Sequence, residues 1–181
     1  MIISEAQRDI RRAYVGGGPG VVVSAIVWLG AGIVQHKSDA THAFAVLFFG
    51  GMFIYPVSML ASRVLFHRRK EVAANPLGMT ALESTIAMIG GLFGAWLFLA
   101  HEPALAFPFA AIAVGTHYAV FRTVYGDNMF WLLSAIITAV GLWQILGTPL
   151  PGGTILWVAL VEFIFGAILT ARAIRAREDF V

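Results

Sequence analysis

Six apolar stretches separated by short polar connections run along the chain, at residues 20–34, 43–66, 79–100, 106–125, 129–147 and 154–174. Their length is about the 20 residues that an α-helix needs to cross roughly 30 Å of hydrocarbon. They are apolar on every side, whereas the helices of a soluble bundle keep a polar face. The pattern predicts an all-α polytopic membrane protein of six transmembrane helices, built as one helical-bundle domain over residues 1–181 with no extramembrane domain.

The interruptions carry further detail. Residues 4–14 read as a short interfacial helix, with Ser4 as cap, Glu5 in the first turn, and Arg8, Arg11 and Arg12 facing lipid phosphates. Gly16-Gly17-Gly18-Pro19-Gly20 breaks the helical pattern, so a turn is expected before the first span. It is not a phosphate-binding loop, because Val21-Val22 follow where Lys-Ser/Thr would be required. Pro56 predicts a kink in the second span, and Asn75-Pro76 a capped start to the third.

Composition agrees with the periodicity: 59% of residues are hydrophobic and the mean hydropathy is +0.82. Charge adds orientation. Of the 12 Lys/Arg residues, only Lys37 lies away from the first, third, fifth and seventh connections and the span ends that adjoin them. Basic residues resist translocation, so both termini are expected on the cytoplasmic side of a bacterial inner (plasma) membrane. Residues 1–12 mix Glu5 and Asp9 with three arginines and do not read as a cleavable signal. The basic rim suits anionic membrane lipids as partners and gives no reason to expect nucleic acid. With no cysteine, disulfides, thiol catalysis and thiolate metal sites are excluded.

Two helix faces carry small residues. Glu83, Ala87, Gly90, Gly91 and Gly94 share a face of the third span, and Ala159, Glu162, Gly166, Thr170 and Ala173 share one of the sixth. Such ladders let helix backbones approach closely, so both glutamates are expected to point into the bundle. The echo of Leu82-Glu83 in Val161-Glu162 also fits a 3+3 inverted repeat. Close small-residue faces leave room for a homodimer.

Ionisable groups within spans are costly and mark candidate sites. Counting from the inner ends places His117 about 12 Å and Glu162 about 18 Å deep, within reach of each other if their spans are neighbours. His117, Tyr118, Phe121, Arg122 and Tyr125 share a face of the fourth span, a set suited to an anionic or aromatic ligand or to an aromatic packing seam. Arg63 and Glu83 lie shallower and read as a structural charge cluster, either paired or, for the arginine, snorkelling to headgroups. His36, Asp39, His42, His101 and Glu102 fall in connections without metal-site spacing; no metal and no cofactor is expected. Trp96, Trp143, Trp157 and Trp131 sit near span ends as an interfacial belt.

Glu5-Ala6-Gln7, Tyr14 through Gly20, Asn75-Pro76-Leu77, Glu83, and Gly115-Thr116-His117-Tyr118 with Tyr125-Gly126 together resemble a family of small bacterial multi-pass membrane proteins of unknown function. The resemblance implies no activity and no site. The sequence leads instead to a small-solute or ion transport protein, proton-linked through Glu162 and His117, with Tyr118, Arg122 and Tyr125 as substrate contacts. The alternative is a non-catalytic assembly or regulatory subunit that engages lipid or a partner protein through the basic rim. An enzyme acting on lipid or isoprenoid substrates ranks last, since neither a nucleophile elbow nor a zinc motif is present.

Overall fold

The computed structural model describes residues 1–147 and 149–178, apart from the side chains of 177 and 178. Arg177, counted above among the basic residues, therefore falls outside the described side chains. The chain is all-helical. Helix α1 (Ile3–Ala13) is amphipathic and precedes α2 (Gly18–Lys37), α3 (Ala40–Gly51), α4 (Ile54–Val64), α5 (Leu77–Leu97), α6 (Pro103–Tyr125), α7 (Met129–Leu146) and α8 (Gly153–Glu178). Five helices, α2, α5, α6, α7 and α8, are each long and apolar enough to span a membrane. Helices α3 and α4, bent by 46° at a short break, pass the same test only as a pair, so the candidate spans number five, or six where that pair is one broken span.

The break has a local cause. Pro56 lacks the N–H that would bond the Met52 carbonyl, and its ring crowds that same carbonyl. The distortion therefore appears one turn upstream of the proline, where Met52 and Phe53 take i−3 hydrogen bonds to Phe49 and Gly50. Helix α4 then leaves α3 on a new axis and packs on α2.

Between α1 and α2 the chain makes a left-handed turn. Val15, Gly16 and Gly17 have φ of 51°, 65° and 81° in succession. Glycine adopts this region freely; a β-branched residue does not, so Val15 is strained and is held there by complete burial. Helix α2 starts directly afterwards, with Pro19 in its first turn, where a missing N–H costs nothing.

Two tightly packed pairs, α2 with α8 and α6 with α7, form the bundle centre. Glycines set the separations. A Cβ on Gly166 would lie 2.8 Å from the Val22 amide nitrogen, and one on Gly141 would lie 2.6 Å from the Pro108 carbonyl oxygen. Helix α5 flanks α6, while α3 and α4 flank α2. The ladder on α8 thus faces inward as expected. The ladder on α5 does not: Glu83, Ala87, Gly90 and Gly94 are exposed, and nothing lies within 4 Å of where a Cβ would stand on Gly90 or Gly94. Only Gly91, on the flank of that face, meets a neighbour, Ala113 of α6. Since α5 packs mainly on α6, its Ser84–Leu92–Ala95 side is buried and the opposite side is left open. Glu83 and Glu162 consequently occupy unlike places.

Helix α1, the 65–76 connection, the 126–128 turn and the last turns of α8 gather on one face of the bundle. Gln7 donates to the Thr123 carbonyl at 2.8 Å, Arg11 to the Tyr125 carbonyl, and Asn75 to the Ala6 carbonyl at 3.0 Å. Gln7 and Arg11 thereby satisfy carbonyls in the last turn of α6, which lack intrahelical partners. Asn75 also accepts from the Leu77 amide at 3.1 Å and caps α5. Asp9 receives the Val72 amide at 2.8 Å and ion-pairs with Arg12 at 3.0 Å.

Candidate functional site

Glu162 lies at the middle of the bundle. It is nine residues into α8, about 14 Å from that helix's start, and it is 0% exposed. Two hydroxyls from other helices converge on one of its oxygens: Ser24 of α2 donates to Oε1 at 3.0 Å and Tyr118 of α6 at 2.9 Å. The second oxygen, Oε2, is buried and has no hydrogen-bond partner. A buried polar atom without a partner carries its full desolvation cost, which sets Oε2 apart from Oε1.

The sequence puts Ser24 here because the turn at 15–17 sets α2 against α8 with Gly18 and Gly166 in close register. One turn and a half further along α2, Ser24 comes level with Glu162. Ser24 was absent from the sequence-level candidates, although it is the only hydroxyl residue between Gly20 and Lys37 and so was there to be noticed.

The remaining candidates divide. Tyr118 reaches Glu162, but His117 does not bond it: its Nδ1 lies 2.8 Å from Ser84 Oγ of α5. Adjacent residues on a helix diverge by about 100°, so α6 sends Tyr118 toward α8 and His117 toward α5. The link between His117 and the carboxyl is indirect, through ring contact with Tyr118 at 5.9 Å. Tyr125 is stacked on Phe130 at 4.9 Å, within an aromatic cluster that also holds Tyr118 and Phe121. Arg122 points elsewhere: it donates to Asn128 at 3.2 Å and lies over the Trp131 ring at 5.0 Å. Among the described residues, Arg63 and Glu83 are not paired with each other or with another charged group.

A groove of about 650 Å³ lies between the end of α2 and the start of α8, on the face opposite α1. Leu29, Gly32, Ile33, Ile155 and Leu156 form its walls, with His36 and Lys37 also lining it. Leu29 and Leu156, half-exposed lining residues, stand five and six positions from Ser24 and Glu162, about 8–9 Å further along the same helix pair. The helix break at Met52–Phe53 is also near mid-span, about 18 Å from the start of α3.

Among the described residues, no three His, Asp or Glu side chains gather as a metal site. Asp39 caps α3 through the His42 amide at 3.0 Å and bonds the His42 ring at 2.8 Å, which accounts for both residues locally.

A model of a family of unknown function, DUF7010, matches residues 3–174, from the start of α1 to the last turns of α8. The chain belongs to that family. The match covers every span and the buried carboxyl, and it agrees with the resemblance to a multi-pass family without a known activity. No curated protein and no solved structure matches the chain. Membership of DUF7010 therefore adds no ligand or reaction to what the geometry offers.

Proposed function

We propose that this DUF7010 protein moves protons or a small monovalent cation across the membrane, with Glu162 as the site the ion occupies in transit. The unpartnered, wholly buried Oε2 of Glu162 is the observation that carries the reading. Ionisable groups at mid-membrane are tolerated where they line an ion path. Two further features support it. The groove between α2 and α8 approaches the carboxyl from the face opposite α1, and a broken span at similar depth is a common feature of transporters. Only one carboxyl and two hydroxyls meet at the centre, which suits a bare ion better than a larger solute. His117, Arg122 and Tyr125 have other contacts and are not needed for this role.

In this reading the protein sits in a bacterial inner membrane with the α1 face toward the cytoplasm, because eleven of its twelve Lys/Arg residues belong to that face. Purified protein in liposomes, with a pH-sensitive dye inside and an imposed proton or sodium gradient, tests the function. Wild type should dissipate one gradient, and Glu162→Gln should lose that flux while remaining folded. Equal flux from both proteins would remove Glu162 from the path.

A second reading has its own support. The polar tethers that fix α1 beneath the bundle leave Arg8 and Arg12 on an exposed surface. A non-catalytic subunit that engages anionic lipid or an acidic partner would use that surface. It predicts loss of function on charge reversal at Arg8 and Arg12, with Glu162→Gln unaffected.

A further inference from the structure

Arg63 and Glu83 are ionisable residues inside membrane-spanning helices, and neither has a charged partner among the described residues. Both belong to the same side of the membrane, since the 65–76 connection joins the end of α4 to the start of α5. Glu83 is exposed on the open side of α5, where lipid would have to solvate a carboxyl. Arg63 does not reach out to the headgroups. Its guanidinium folds back along α4 and donates to Met59 Sδ at 3.1 Å, one turn nearer the membrane middle. A thioether is a weak acceptor, so most of the guanidinium's hydrogen-bonding capacity is unused there.

We propose that two copies of this chain pair around a two-fold axis, α4 of each against α5 of the other, closing two Arg63–Glu83 ion pairs between subunits. The two helices run in opposite directions, so within such a pair their residues count outward together from the charges. Glu83 lies six residues into α5, about 9 Å, and the folded-back guanidinium of Arg63 reaches a similar depth. One turn deeper, Ala87 comes level with Met59 and Leu60; beyond it, Gly90 and Gly94 offer a surface with nothing over it. The exposed Val57 and Phe53, on the same face of the helix as Leu60 and Arg63, would fill that hollow. The straight part of α4 is 11 residues long and matches the 83–94 stretch of α5, because the break before Ile54 frees α4 from the line of α3. An isologous interface repeats each contact, so one unpaired cation and one unpaired anion per chain are both satisfied. Small residues at the contact permit the close approach that substitutes for a hydrophobic drive in lipid. This pairing leaves the Glu162 site untouched and stands apart from the transport reading.

Because the chain has no cysteine, engineered thiols report the contact cleanly. A double variant, Leu60→Cys with Ala87→Cys, should form a covalent dimer under mild oxidation in lipid nanodiscs or native membranes, and each single variant should not. Without thiols, Glu83→Arg and Arg63→Glu should each lower the dimer fraction at least tenfold, measured by single-molecule photobleaching in liposomes. The combined charge swap should restore it, and a swap that restores pairing also shows that the variants fold. A monomeric wild type in lipid would overturn the proposal and leave lipid headgroups as what covers Arg63. A dimer indifferent to both single charge reversals would overturn it too, by placing the interface elsewhere.

Discussion

Replacing Gly166 with alanine tests how the α2–α8 contact supports the buried carboxyl. A Cβ at this position would stand 2.7 Å from Val22 Cγ2, 2.8 Å from the Val22 nitrogen and 3.1 Å from the Gly18 carbonyl oxygen. Two of those atoms are backbone, so no rotamer change relieves the clash and the helices must part. Restoring ordinary contact at the Val22 nitrogen requires about 0.6 Å of separation. Ser24 bridges the same pair of helices, and its 3.0 Å bond to Glu162 would lengthen to about 3.6 Å, beyond a useful hydrogen bond. Overpacking of this kind costs about 1–3 kcal/mol and the lost bond about 1 kcal/mol more, so Gly166→Ala should lower stability by about 2–4 kcal/mol. Equilibrium unfolding in mixed detergent micelles measures it. Gly51→Ala is the control, since nothing lies within 4 Å of its Cβ position, and it should change stability by less than about 0.5 kcal/mol. If Gly166→Ala unfolds with wild type, the close contact is not what holds Ser24 against Glu162, and the account of the site fails.

Two other outcomes follow from the α1 face. Gly17→Ala places a side chain at φ 81° and a Cβ 2.9 Å from the rings of both Tyr125 and Phe130; left-handed strain and overpacking together should cost about 2–4 kcal/mol in the same unfolding assay. Asp9 is the pH-sensitive tether. Its partial burial alone would raise its pKa, but the Val72 amide, Asn75 and Arg12 outweigh that and hold it below the ordinary 3.8. A carboxyl lowered on folding stabilises the native state above its unfolded pKa, and that contribution is lost as pH falls through the folded value. The docking of α1 should therefore weaken below about pH 4, and Asp9→Asn should flatten the stability profile there, as read by amide exchange in residues 3–13.

What the sequence revealed depended on the kind of information each feature needs. Approximate span limits require only hydropathy: the structure has five of the expected six as single long helices and the second as the bent α3–α4 pair. The kink in the second span was legible from Pro56, but its position at Met52–Phe53 follows from the carbonyl one turn back. Which way a membrane helix faces was much less legible. Helices that are apolar all round give no stripe to orient them, so the ladders containing Glu83 and Glu162 looked alike, yet only the second faces inward. Small residues permit close packing without saying whether the partner is another helix of the same chain. Tyr118 and Glu162 were both visible as candidates. Their joining through Ser24 required knowing that α2, α6 and α8 meet, and no local pattern encodes that.

The pairing of α2 with α8 has a consequence for how the protein is made. Helix α2 leaves the ribosome well before α8 and must wait for it before its glycine surface is covered. During that interval Ser24 has no carboxyl to bond, and Gly18 faces lipid or a transient neighbour. Glu162 enters the membrane only with α8, and it finds both its hydroxyl donors already made. This seam is thus closed by a contact between residues 138 apart in sequence, after all the intervening helices have been made. A nascent chain stopped before α8 would carry an uncovered α2 seam, and that seam alone distinguishes it from a chain in which α8 has docked.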